Sequence, residues 1–150
     1  MSDLKGIRVL TSLDNHQDDG LAIAKGVLKE VASLLGRFIR TGTAGVVDMR
    51  ALPPLGPEGY QYLKNVLSTG EVVATVDAQL KVLIQETSYS GVWWVTHKNE
   101  RDEIVTELIE ITAVPEILIA HVADTRFGLQ RLEEALAAAA SEGGSPPLVQ

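Results

Sequence analysis

The chain contains no cysteine among its 150 residues. Disulfides, thiolate nucleophiles, Cys-ligated zinc and thiolate-held iron–sulfur clusters are therefore excluded within it. Aromatic residues make up only 5%, so the core must be aliphatic and each of the two tryptophans stands out. Positive charge is in deficit: 13 Lys and Arg against 20 Asp and Glu leave a net charge of −7. Nucleic-acid backbones and anionic membrane surfaces are held by Lys and Arg, so neither is the partner this balance favours. No apolar run approaches the roughly 20 residues a membrane-spanning helix needs. Met1-Ser2-Asp3-Leu4-Lys5-Gly6 lacks the apolar core of a signal peptide. These features point to a cytoplasmic protein with no membrane insertion.

What is present is a hydrophobic content of 45%, enough for a proper core in one domain over residues 1–140. Ile7–Leu13 reads as a short extended segment, followed by an acidic turn from Asp14 to Gly20. Ala24, Val27, Leu28, Val31, Leu34, Leu35 and Phe38 then recur at helical spacing, which predicts a helix over about 19–40, stopped by Gly42. Val46–Met49 is a short strand candidate. Pro57 and Glu58 open a second helix with an apolar stripe of Tyr60, Leu63, Val66 and Leu67, and Gly70 ends it. The period then changes to alternation, with strands predicted at 71–77, 80–87, 92–97 and 104–111. Short connections favour antiparallel neighbours. Pro115 and Glu116 begin a short helix, and a last helix runs from about Asp124 to Ala140. Residues 141–150 are expected to be a flexible tail. The fold class is α+β, an antiparallel meander of about four strands packed against flanking helices.

Candidate chemistry is sparse. His16, His97 and His121 lack paired-ligand spacing, so no metal site is expected. The Asp14–Asp19 stretch fails as a calcium loop, since His16, Asp19 and Lys25 occupy positions needing an oxygen ligand, a glycine and a glutamate. Gly42 and Gly45 form no phosphate loop, and Ser88 and Ser90 sit in no nucleophile elbow near His97. Glu86 closes an apolar strand and is either a binding carboxylate at a strand end or the acceptor that ties down the Thr87–Gly91 turn. Trp93 and Trp94 are consecutive, so in a strand they point to opposite faces. With helices over one face, one indole belongs to the core; the other is either at least partly accessible, an interface anchor beside Tyr89, or shielded by a loop or the last helix.

Gly45-Val46-Val47-Asp48, Leu52-Pro53, Gly70-Glu71-Val72, Gln85-Glu86-Thr87, Gly91-Val92-Trp93-Trp94-Val95, Ile109-Glu110-Ile111 and Val114-Pro115-Glu116-Ile117 occur in an ordered series. This series resembles the HupH/HyaF-type hydrogenase expression/formation proteins over about residues 20–140. The resemblance implies a non-enzymatic accessory protein, a chaperone or escort in maturation of an uptake [NiFe] hydrogenase, without cofactors. Its implied partners are the iron–sulfur small subunit precursor and a thioredoxin-like maturation protein, and a homodimer is compatible with it. Many relatives are longer, and the polar Ser88-Tyr89-Ser90 turn departs from the family's apolar, proline-bearing one. Partner contacts are expected at Trp93, Trp94, Tyr89 and Glu86. Two rival classes remain open: a small-molecule enzyme using Glu86 and a histidine, and a protein-interaction module unrelated to hydrogenase.

Overall fold

The computed structural model describes residues 7–143, with side chains from residue 18 onward. Three α-helices and five strands occur among these residues: α1 (Ile7–Thr41), β1 (Gly45–Asp48), α2 (Gly56–Leu67), β2 (Val73–Asp77), β3 (Lys81–Glu86), β4 (Val92–Lys98), β5 (Ile104–Ile111) and α3 (Val122–Glu142). They fall into two compact units, one ending at Pro115 and the other starting at Glu116.

Within the first unit the strands form one antiparallel sheet in the order β1-β5-β4-β3-β2. The expected four-strand meander is therefore present as β2–β5. The short strand at residues 45–48 joins its far edge by pairing with β5, for example Val47 opposite Ile109. One face of the sheet carries Val47, Ile109, Ile111, Val92 and Trp94 into a common core with Ala24, Val27 and Val31 of α1 and Leu63 and Leu67 of α2. Both helices contribute the apolar stripes that their spacing predicts. The opposite face also buries side chains, among them Val82, Ile84, Trp93 and Val95.

The N-terminal expectation is corrected. Ile7–Leu13 and Asp14–Gly20 are helical, the first turns of a 35-residue α1. A run as short as Ile7–Leu13 fits helix and strand periods alike, and extending an established helix costs little once its nucleus exists. The side chain of His16 lies outside the described residues, as does the tail beyond residue 143. Pro115–His121 yields only a 3-10 turn at Glu116–Leu118. Beyond it, α3 begins at Val122, capped by His121, whose Nδ1 accepts from the Ala123 backbone N–H at 3.2 Å.

Two glycines allow α1 and α2 to meet. A Cβ on Gly20 would lie 2.1 Å from the Leu55 carbonyl oxygen, and one on Gly59 would lie 2.5 Å from the Gly20 carbonyl oxygen. Both obstacles are backbone, so no rotamer change relieves them. Gly59→Ala should destabilise the protein by about 1–3 kcal/mol, as overpacking does. Gly26→Ala, on α1 with nothing within 4 Å of the added methyl, should be stabilising by up to about 1 kcal/mol. Chemical denaturation of the two variants beside wild type checks the pair of opposite signs.

Candidate functional site

The turn that links β3 to β4 is held by side chains that the sequence makes easy to overlook. Thr87 is buried; its hydroxyl lies 2.9 Å from the Val92 carbonyl and 3.2 Å from the Tyr89 backbone N–H. Ser88 donates from Oγ at 2.9 Å and from its backbone N–H at 2.8 Å to the Leu67 carbonyl, the last residue of α2. Polar Ser88 thus satisfies a helix-terminal carbonyl that has no partner inside its own helix. The hydrogen bonds that fix the turn run through Thr87 and Ser88, not through the Glu86 carboxylate. Instead, the Glu86 side chain lies over Gly70, where a Cβ would come within 2.9 Å of its Oε2 and within 2.5 Å of the Thr87 carbonyl oxygen. Glycine at 70 lets the chain pass close beneath the turn, and its N–H donates to the Glu86 carbonyl at 2.7 Å.

Fixed in this way, Tyr89 is 48% exposed at the mouth of an apolar groove. Leu28, Val31, Ala32 and Leu35 of α1, Val66 and Leu67 of α2, and Val92 line it, enclosing about 210 Å³. Its walls offer almost no polar atom, so they suit an apolar side chain rather than a polar metabolite.

The tryptophans depart from expectation. They do point to opposite faces, but both are buried, Trp93 at 5% exposure and Trp94 at 2%. Neither indole is an accessible anchor. Burial also satisfies each ring nitrogen: Trp93 Nε1 donates to the Thr112 carbonyl at 3.0 Å, and Trp94 Nε1 donates to Glu107 Oε2 at 2.6 Å. The expectation of one covered face failed because the second face is also buried around Trp93, where Val82, Ile84 and Val95 are buried, although Val46 at its edge stays exposed.

Glu107 is the residue that the sequence did not single out. It occupies the helix-facing side of β5, in register with Thr96 and two residues before the buried Ile109. Tyr60 Oη sits 2.9 and 3.0 Å from its two oxygens. The Tyr60 ring meets the Trp94 ring edge-on at 5.9 Å, and the Lys64 ammonium lies 4.1 Å from the Trp94 ring centre. Burial, reinforced by Glu107, pushes the Tyr60 hydroxyl well above the ordinary phenol range. Burial also pulls the Lys64 ammonium below its usual range, an effect that the charge of Glu107 opposes. The cluster borders a second depression of about 280 Å³, lined also by Met49, Arg50, Leu55 and Val105. Two signals could have found it: Tyr60 and Lys64 one helical turn apart, and a glutamate at an inward position of an alternating strand.

The other candidates are not brought together. Glu86 pairs with Trp93, whereas His97 pairs with Val82, four residues along the same strands. That separation is roughly 13 Å at strand rise. Ser88 is committed to the Leu67 carbonyl. His97 Nδ1 is buried without a hydrogen-bond partner among the described residues, and His121 belongs to the second unit.

Residues 21–139 match the family model described as HupH hydrogenase expression protein, C-terminal conserved region. The chain belongs to the HupH family. It is 30% identical over 112 residues to the hydrogenase expression/formation protein HoxQ of Azotobacter vinelandii, covering 74% of this chain and 38% of that protein. A HoxQ from Cupriavidus necator is 34% identical over 98 residues, covering 65% of this chain and 33% of that protein. The solved hydrogenase expression protein HupH from Thiobacillus denitrificans superposes with a TM-score of 0.71 at 34% identity, over 77% of this chain and 95% of that one. The HupH-family chain thus spans well under half the length of the curated relatives it matches. Among its described residues no helix is long and apolar enough to cross a membrane.

Two outcomes follow from the Glu107 cluster. Glu107→Ala leaves the Tyr60 hydroxyl and the Trp94 N–H without their acceptor and should cost about 1–3 kcal/mol for each stranded donor. Glu107→Gln keeps an acceptor oxygen and should cost less, measured by urea unfolding. The raised Tyr60 hydroxyl sets a pH dependence of known sign. In the unfolded chain it ionises near pH 10, while in the folded chain it stays protonated to higher pH. Its contribution is fully present below about pH 10 and is lost as the pH climbs from there through the folded value. Between pH 9 and pH 11, wild type should therefore lose more stability than Tyr60→Phe.

Proposed function

We propose that this domain acts by binding, as an accessory protein in maturation of an uptake [NiFe] hydrogenase. Its client is the iron–sulfur small subunit precursor, met in company with a thioredoxin-like maturation protein. The relatives are named hydrogenase expression/formation proteins. What carries the binding reading is the apolar groove of α1, α2 and the Thr87–Gly91 turn, with Tyr89 half exposed at its mouth. Of the four contact residues expected from sequence, Tyr89 is the one suited to anchor a client. Trp93 and Trp94 are buried in the strand that follows the turn and do not line the groove. Glu86 adds a carboxylate at the strand end, and the acidic balance of the chain favours a basic rim on the client. Without cysteine the domain has no thiolate with which to ligate the client's clusters, and it protects them by covering the polypeptide that carries them. A second copy of the chain is compatible with this role.

The test separates covering from catalysis. Tyr89→Ala should leave the melting temperature nearly unchanged, because the ring is half exposed. It should weaken capture of the tagged small subunit precursor by about 30-fold if Tyr89 is a hot spot worth roughly 2 kcal/mol. Glu86→Gln should leave maturation nearly intact. Deletion should lower uptake-hydrogenase activity most under oxygen. If Glu86→Gln alone abolished maturation while client capture persisted, or if deletion left maturation normal with and without oxygen, the escort reading would be refuted.

A further inference from the structure

The second unit presents a surface of a different kind. Helix α3 buries none of its residues. Val122, Thr125, Leu129, Leu132, Leu136 and Ala139 follow one another at steps of three and four. That is the a/d repeat of a coiled-coil seam, running from Val122 to Ala139 within the 21-residue helix. Leu129, Leu132 and Leu136 are 57, 58 and 63% exposed. The Thr125 hydroxyl donates to the His121 carbonyl one turn back, at 3.1 Å, so the polar atom is already satisfied and the residue can stand in an apolar seam. Phe127 lies off the seam, with the Arg131 guanidinium 6.0 Å from its ring centre.

The flanking positions choose the occupant and its direction. In this repeat Arg126 and Glu133 both fall at e, while Gly128 and Ala135 fall at g. They are seven residues apart on one helix, roughly 10 Å along its axis, too far to pair with each other. A parallel second copy would set e against g, placing Arg126 beside His121 and Glu133 beside Gly128, with no opposite charges in register. An antiparallel second copy sets e against e, and each Arg126 then meets a Glu133 across the seam, twice by symmetry. In that register the central layers pair Leu129 with Leu132, and the outer layers pair Leu136 with Thr125 and Val122 with Ala139, large against small. Gly128 and Ala135 meet on the other flank and let the backbones approach.

We propose that α3 is a self-association surface that docks antiparallel against α3 of a second copy of this chain. It deepens the self-association allowed for above but does not depend on the hydrogenase client. Failure here would leave capture of the small subunit precursor untouched, and failure of that capture would leave the dimer.

Sedimentation equilibrium of the full chain from 5 to 200 µM should show a reversible monomer–dimer system. Leu132→Glu, at an exposed position, should weaken association by at least about tenfold with an unchanged melting temperature. Arg126→Glu should weaken it, and Arg126→Glu combined with Glu133→Arg should restore it. Because the native chain has no cysteine, direction can be read by oxidation. Val122→Cys mixed with Ala139→Cys should give a disulfide-linked pair. Val122→Cys alone should not, since the two copies of residue 122 would lie about 26 Å apart and a disulfide needs Cα atoms within about 7 Å. A monomer throughout the range, a dimer indifferent to Leu132→Glu, charge reversal without rescue, or self-linkage of Val122→Cys would each overturn the proposal.

Discussion

A carboxylate set into the helix-facing side of a sheet must be matched by donors, and Glu107 decides much of what surrounds it. Desolvating a carboxylate is costly unless hydrogen bonds replace water. Here the replacements come from two separate elements, the Tyr60 hydroxyl of α2 and the Trp94 indole of β4, onto a glutamate of β5. Those bonds have direction, which apolar packing lacks. They fix the rotation of α2 over the sheet, and with it the positions of Leu63 and Leu67 in the core. Lys64 follows one turn from Tyr60, so its ammonium lies over the indole that Glu107 holds. An aromatic-poor chain thus spends one tyrosine and one tryptophan on a single joint.

The same joint reaches the groove. Once α2 is oriented, its last carbonyl, at Leu67, points toward the β3–β4 turn, and Ser88 meets it. Thr87 closes the turn from within, and Gly70 admits the chain beneath it. Tyr89 is therefore placed by bonds that do not involve its own ring. A side chain presented on such a frame loses little freedom when a partner arrives, which favours affinity without added contact area.

The fold class, the two core helices of the first unit and the β2–β5 meander were legible in the sequence because each depends on a period. Ala24, Val27 and Val31 announce a helix face, and the alternation around Ile109 and Ile111 announces a strand. Ile7–Leu13 was not legible, because seven residues with mixed apolar spacing do not choose a period, and attachment to α1 chose for them. The family was legible through an ordered series of short pieces. The tryptophan reading failed at one step. Alternation placed the rings on opposite faces, but the cover over the second face depends on tertiary structure that no local pattern encodes. Glu107 was hidden for a related reason. Alternation sets it on the face of Ile109 and Ile111, but the Tyr60 and Trp94 donors that hold it come from other elements, which no local pattern brings together.

The polar turn Ser88-Tyr89-Ser90 has a physical consequence for how the groove works. An apolar turn with proline would restrict the loop through its own backbone. Here serine and threonine hydroxyls do that work through bonds to neighbouring carbonyls, and one of those carbonyls belongs to α2. The turn is therefore coupled to the helix that forms one wall of the groove. A displacement of α2 would move the Leu67 carbonyl and carry Ser88 with it, shifting Tyr89 at the mouth. Because α2 is itself held to the sheet by Tyr60 and Glu107, the wall supplied by Val66 and Leu67 is oriented by a bond roughly two turns back along the same helix. Rigidity at the mouth is thus borrowed from the polar joint in the core.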